Sequence, residues 1–456
     1  MASLPPGSSA APGQQHGLKR ALTLWGLILY GIIVIQPTAP MSPFGVVATR
    51  AHGHVVTAIL IAMVAMAFTA FGYGRMARAY PSAGSAYTYV AREVHPVPGY
   101  LTGWSMAMDY ILNPLICTIL LSKLAMNYLP GVPYVAWAVF FAVLLTSLNL
   151  VGIKTNAKIN AGLAAFMTAV IVVILIAAAR YVMNLPTIPE GFFTRPFYDP
   201  ETFELGALWT GTSVAVLTYI GFDGISTLSE EVENPRRNVL LATVLTCVLV
   251  GGLAALQVYA AQLVWPELSF PDVDTAYVHV TGRMGGPVLF GLVNATLIIA
   301  TIGSGMGALL GAARLLYGMG RDDALPRGFF GFVDGNGVPR NNVLFVGAIA
   351  LVGAHLVEYG LMSFALGVEL LNFGALIAFM GVNAAAFIHY VIRQKQRSAG
   401  MVLPPILGFA MCFYLWISLG LKAKVWGFSW LAAGVLYGIY VKRRSGRLSL
   451  GEMSDS

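Results

Sequence analysis

The chain has 456 residues, 57% of them hydrophobic and only 10% charged, with a mean hydropathy of +0.74 and a formal net charge of +7. A soluble domain devotes about 25% of its residues to charge, so these proportions exclude an ordinary water-soluble fold and point to a surface that faces hydrocarbon. The positive balance does not indicate nucleic acid as a partner: the Lys and Arg residues sit in short polar breaks beside apolar runs, where they set membrane topology.

The apolar runs approach or exceed the ~20 residues that a helix needs to cross a bilayer, and they lack the alternating polarity of barrel strands about 10 residues long. An all-α polytopic membrane protein is therefore predicted. Residues 1–20 form a tail whose Ala, Pro, Gly, Ser and Gln content marks it as disordered. Lys19 and Arg20 then lead into an apolar stretch that reaches Val47, longer than the roughly 7 to 15 residues of a signal-peptide core, so it is read as the first membrane helix. Twelve transmembrane helices are predicted, at 21–50, 55–78, 98–129, 133–151, 157–183, 207–231, 239–264, 287–317, 342–358, 362–390, 402–420 and 425–441. A longer loop, 184–206, separates spans 5 and 6, and 442–456 forms a second tail. Lys and Arg concentrate on the side that carries the tails, at positions such as Arg75, Arg78, Lys154, Arg236 and Arg340, which places both termini in the cytoplasm.

Two spans are interrupted. Span 1 contains Gln36, Pro37, Thr38, Ala39, Pro40, Met41, Ser42 and Pro43, and prolines at three-residue intervals cannot sit in one continuous helix. Span 6 contains Tyr219, Ile220, Gly221, Phe222, Asp223 and Gly224, with an acid between two glycines near the expected bilayer centre. Backbone freed in lipid must face protein or a cavity, and breaks at matching places in two five-helix halves point to an inverted repeat with its site at the breaks. An ionised group at the centre costs about 2.5 to 3.5 kcal/mol on insertion scales, so Asp223 requires a wet cavity, a partner or a bound cation. A full negative charge suits a protonated amine better than a carboxylate, and span 1 offers no glycine-rich anion nest.

Other residues admit two readings. Asp109, with Tyr110 and Asn113, puts an acid and an amide one turn apart on span 3, either as a second site acid or as a structural acid bonded to a neighbouring helix. Lys154 and Lys158 open span 5, as cytoplasmic topology charges or, for one of them, as a desolvated lysine that exchanges a proton. Lys123 lies near an outer end and is read as snorkelling. Glu230, Glu231 and Arg236 close span 6 with mixed charge, as a solvated face or as an inner gate. Cys117, Cys247 and Cys412 lie singly within apolar runs, the His residues are scattered, and no metal or cofactor is expected. The run Gly303 to Gly307 has no preceding strand and reads as close helix packing, and the absence of HExxH, Walker A and GxSxG patterns argues against an enzyme or an ATP-driven pump.

Four stretches carry a family likeness: YPSAGSAYTY from Tyr80 to Tyr89, GFDGISTLSEE from Gly221 to Glu231, ARLLYGMGRDDALP from Ala313 to Pro326, and LNFGALIAF from Leu371 to Phe379. In order and spacing the chain resembles the amino acid-polyamine-organocation permeases, and within them the putrescine importers. The resemblance implies a LeuT-type core, with 21–183 and 207–391 as inverted five-helix repeats and 392–441 as two further helices. It implies cation-driven import of a small amine, polyamine or amino acid across the inner membrane, usually with protons and without ATP. It also implies that Asp223 is the acid of the span 6 break and Lys154 the lysine at a sodium-like position. Where those putrescine importers carry an acid in the span 1 break this chain has Ser42, which favours a substrate with one positive centre unless Asp109 turns toward the breaks. Exchange instead of symport, a channel and a non-transporting nutrient sensor are the alternatives that the sequence leaves open.

Overall fold

The computed structural model describes residues 22–80, 85–151, 157–229, 232–321, 325–335 and 337–445. In chain order the helices are α1 (Leu24–Ile35), α2 (Phe44–Arg50), α3 (Val55–Ala79), α4 (Ser85–Glu93), α5 (Pro96–Met126), α6 (Tyr134–Leu150), α7 (Ala157–Met183), α8 (Leu205–Ala215), α9 (Gly224–Thr227), α10 (Pro235–Val264), α11 (Ala276–Arg321), α12 (Arg327–Phe330), α13 (Arg340–His355), α14 (Phe364–Phe387), α15 (Ala399–Ile417) and α16 (Leu421–Ser445). Among the described residues the only β-type pairing is an isolated bridge between Leu22 and Val232. Among the described residues nine segments are long and apolar enough to cross a membrane. Helical segments also lie at the positions predicted for spans 4, 9 and 12, where α6 spans 17 residues, α13 spans 16, and α16 is less apolar.

Local chemistry explains the boundaries. Thr23 caps α1 by accepting the Gly26 N–H at 3.2 Å, and α1 ends where Gln36 turns to φ 70° before Pro37, which can neither donate nor follow a helical residue comfortably. A 3₁₀ turn at Ala39–Met41 and Pro43 then start α2. The second interruption joins α8 to α9 through a 3₁₀ turn at Val216–Tyr219 and Gly221 at φ 116°, a conformation that only glycine adopts without strain. Span 8 is the part of α11 beyond a kink at Gly286 and Pro287. Unpredicted features include the loop helices α4 and α12, the part of α11 before Gly286, and a π-helical turn over Ile388–Arg393 that ends α14.

Two groups of helices surround the breaks. α3 packs along α10, with α1 against α10 and α8 against α3, while α5 packs against α6, α11 and α13. α14 lies against α5 and α3, α15 covers α14 and α3, and α16 lies on α14 and α5. A Cβ at Gly374 would sit 2.3 Å from the Ser105 carbonyl, so α14 approaches α5 as closely as backbones allow, beside Asp109. Outward faces are apolar, including Phe140 and Val143 on α6 and Val173 and Ile176 on α7, as expected of surfaces in contact with lipid chains.

Candidate functional site

The two interruptions touch. Gly221 lies against Val34 and Ile35 at the end of α1, where an added Cβ would meet the Val34 side chain at 3.1 Å, and the two 3₁₀ turns pack on one another. Backbone groups freed by the breaks are taken up by neighbouring helices. Gln257 of α10 donates from Nε2 to the Pro37 carbonyl at 3.0 Å, and Gln36 donates from its own Nε2 to the Ala300 carbonyl of α11 at 3.1 Å. Thr38 is buried, its hydroxyl 3.9 Å from the Met167 sulfur of α7. Asn372 of α14 donates to the Ser213 carbonyl at 2.7 Å, at the end of α8, and the Tyr219 hydroxyl donates to the Ile59 carbonyl of α3 at 2.8 Å. Each break is thus tied by side-chain bonds to helices distant in sequence, in keeping with the rule that irregular backbone at membrane depth must be buried in protein or line a cavity.

Asp223 sits at the span 6 break just before α9, its carboxylate close to the backbone of Gly221 and Gly224. The Asp223 carbonyl accepts the Ser226 hydroxyl at 2.7 Å. Asp109 projects from α5 within Coulombic range of Asp223, and Tyr73 and Tyr110 lie within range of both acids. Both carboxylates lie deep among the helices, on residues that are partly accessible as a whole. The same partial accessibility is found at Gln36, Ala39, Ser42, Tyr30, Tyr110, Asn113, Ile220, Gly221 and Gly224. Pro37, Tyr219 and Phe222 are buried, with the Phe222 ring packed on Tyr73 at 5.5 Å and Phe379 at 5.2 Å. Asn113 accepts the Cys117 thiol at 3.4 Å one turn from Asp109.

α2 is wedged beneath the loop before α11, where a Cβ on Gly45 would lie 2.1 Å from the Val273 carbonyl, and Arg50 pairs with Glu369 of α14 at 3.3 Å. Glu369 is 3% exposed, so Arg50 supplies the counter-charge that a buried acid requires.

Lys154, Glu230 and Glu231 lie outside the described residues, and the Arg236 backbone lies in the first turn of α10. Sequence reading missed Tyr30, Tyr73, Gln257 and Asn372, and named Tyr110 only as the neighbour of Asp109. Gln257, an amide within an apolar span, and Asn372, inside the LNFGALIAF stretch, carried a signal; the tyrosines did not stand out from other aromatic residues. Among the described residues no cluster of His, Cys, Asp and Glu is arranged to hold a metal ion.

The amino acid permease family matches residues 24–439. The chain is 34% identical to the low-affinity putrescine importer PlaP of Escherichia coli (strain K12), over 92% of this chain and 93% of that protein. It is 24% identical to the branched-chain amino acid permease BcaP of Bacillus subtilis (strain 168), over 96% of each chain, and 24% identical to a methylthioribose transporter of the same organism, again over 96% of each.

Proposed function

The chain belongs to the amino acid permease family, and from that premise we propose that it is a proton-coupled secondary transporter that imports a small cationic amine at the junction of the two helix breaks. The observation that carries this reading is the pair Asp223 and Asp109, within Coulombic range of each other beside the breaks and each on a partly accessible residue, and the reading places the substrate hollow between them. Two carboxylates at mid-bilayer are costly alone and are stabilised by a ligand that brings positive charge. Ser42 leaves the span 1 break without an acid, which by itself favours one positive centre; the nearness of Asp109 supports a diamine of putrescine's kind, with one ammonium for each acid. Tyr30 and Tyr110 supply aromatic surface on which the alkyl chain and an ammonium can rest.

The packing supports a repeat of five helices within twelve spans. Counted as spans, contacts 1–7, 3–4 and 3–9 recur as 6–2, 8–9 and 8–4, and 2–10 recurs as 7–5, as expected when each half repeats the other. In this reading α15 and α16 stand outside the repeats, the termini are cytoplasmic, and the protein resides in the inner membrane. Lys154 at the start of span 5 handles the coupling proton, and Glu230, Glu231 and Arg236 form an inner gate opposite Arg50 and Glu369.

The reading is tested by thermal shift of the purified protein against diamines, monoamines and neutral amino acids. A ligand at 100 times its dissociation constant stabilises the native state by about 2.7 kcal/mol. Putrescine is expected to raise the midpoint most, butylamine less and leucine least. A shift with leucine and none with either amine would overturn the assignment of the two acids.

A further inference from the structure

Outside the site, one carboxylate is sealed from solvent and shared by three segments. Glu93, at the end of α4, has a fully buried side chain. It accepts from the Tyr80 hydroxyl just beyond α3, lies 2.6 Å from His389 Nδ1, and pairs with Arg393 at 3.1 Å. Arg393 also donates to the Glu93 carbonyl at 2.9 Å. His389 and Arg393 belong to the π-turn that ends α14, a deviation from helical geometry that often marks functional sites. The second ring nitrogen, His389 Nε2, lies 2.8 Å from Gln394 Nε2, and Gln396 Nε2 donates to Gln394 Oε1 at 2.9 Å.

We infer that His389 and Glu93 form a proton-binding site remote from the substrate hollow, which fastens α4 to the end of α14 when it is loaded. In the wiring seen here the neutral ring donates from Nδ1 to Glu93 and accepts at Nε2 from the Gln394 amide. A proton arriving from solvent at Nε2 turns that nitrogen into a donor, so the Gln394 amide must rotate to present its oxygen. The rotation faces the Gln394 nitrogen toward the Gln396 nitrogen and breaks their bond, while the Glu93–His389 contact becomes a charge-assisted pair, stronger than a neutral one. Proton uptake thus exchanges a surface amide bond for a tighter buried anchor.

The surrounding charges set the sign. Facing the pair are Tyr80, Arg75 and Arg78 from α3 and the residue after it, Arg92 beside Glu93 on α4, and Tyr390 and Arg393 on the turn itself. His95, beyond α4, is turned to the Val97 N–H. α15 also packs on the turn and carries no charged side chain, and the first charged residue of α5 is Asp109, about three to four turns along. Burial, together with the bond to Glu93, pushes Tyr80 up to about 12, so it remains a donor throughout the physiological range. Arg75 is spent on Phe71 and Tyr390, at 4.9 and 5.5 Å from their rings, and Arg92 lies 5.4 Å from the Tyr80 ring. Glu93 is in direct contact with the His389 ring at 2.6 Å, the range at which Coulomb attraction is strongest.

The test needs no substrate and does not depend on the transport reading. Hydrogen exchange of the full chain in nanodiscs is followed at pH 6 and pH 8 in peptides spanning 85–95 and 386–396, after correction for intrinsic rates. Wild type is expected to show at least threefold slower exchange in both peptides at pH 6, and His389→Gln, which keeps a hydrogen-bonding group but cannot be charged, to show no such difference. Glu93→Gln is expected to abolish the response as well; should it not yield folded protein, the His389→Gln comparison stands by itself. An unchanged pH response in His389→Gln, or none in wild type, overturns the inference.

Discussion

Replacing Asp223 by Asn keeps the shape of the side chain and removes its charge, so the change isolates electrostatics from packing at the break. Truncating one partner of a buried charge pair costs about 2 to 5 kcal/mol, or roughly 30-fold or more in affinity. Asp223→Asn is therefore expected to abolish the thermal shift by putrescine while leaving the ligand-free melting profile close to wild type. Asp109→Asn should weaken putrescine by a similar factor yet leave butylamine within about threefold, because a single ammonium needs only one of the acids. Competition assays with both amines measure this, and equal losses for the two would show that the acids do not divide the charges between them. Ser42→Asp adds an acid to the span 1 break; if Asp109 serves the second ammonium, as proposed, it should not tighten diamine binding. At this scale the sequence was informative where chemistry is costly. Asp223 stood out because an acid in an apolar span demands a partner, whereas Tyr30 and Tyr110 resembled any aromatic residue in a membrane helix, and only their place across the hollow distinguishes them.

Both breaks were legible from proline and glycine spacing, because those residues act on their own backbone and need no tertiary context. The side chains that hold the breaks were not, since Gln257 and Asn372 act on carbonyls that lie far away in sequence. α4 was hidden for a similar reason: it is short and amphipathic, and its buried Glu93 reads as a solvated acid until Tyr80, His389 and Arg393 are brought to it. At Gly221, φ 116° combines with Val34 at 3.1 Å from an added Cβ, so Gly221→Ala should lower the melting temperature and displace Asp223; a variant as stable as wild type would argue against a fixed break. The loop before α11 carries its own electrostatic signature. Burial, then the neighbouring Asp272, raises Asp274 from 3.8 to about 6, opposed by Lys123, which pairs with Asp272 at 3.0 Å. A carboxyl that binds its proton more tightly when folded loses its contribution to stability as pH rises from about 4 to about 6. Asp274→Asn should therefore stabilise the protein at pH 7.5, by at most about 3 kcal/mol, and have little effect at pH 4. Melting curves at the two pH values check the sign.

At the scale of the whole molecule, composition already fixed an all-helical membrane protein, because so little charge cannot cover an aqueous surface. The number of crossings is less sharply written: among the described residues nine segments meet the length and hydropathy of a span by themselves, while those at spans 4, 9 and 12 are short or mixed in polarity and take their places through packing on longer neighbours. Coupling is a property of the whole molecule too. Uptake should increase as the external side is acidified, collapse with a protonophore, proceed without sodium, and lose its pH dependence in Lys154→Ala; a strict sodium requirement would refute proton coupling. The central claim, a carrier whose amine site is built on Asp223 at the junction of two broken helices, is tested most directly by counterflow. Proteoliposomes loaded with unlabelled putrescine and diluted into a trace of labelled putrescine should accumulate label transiently above equilibrium, and those made with Asp223→Asn should not. Absence of the overshoot in wild type, or an overshoot that survives unchanged in Asp223→Asn, would contradict the account.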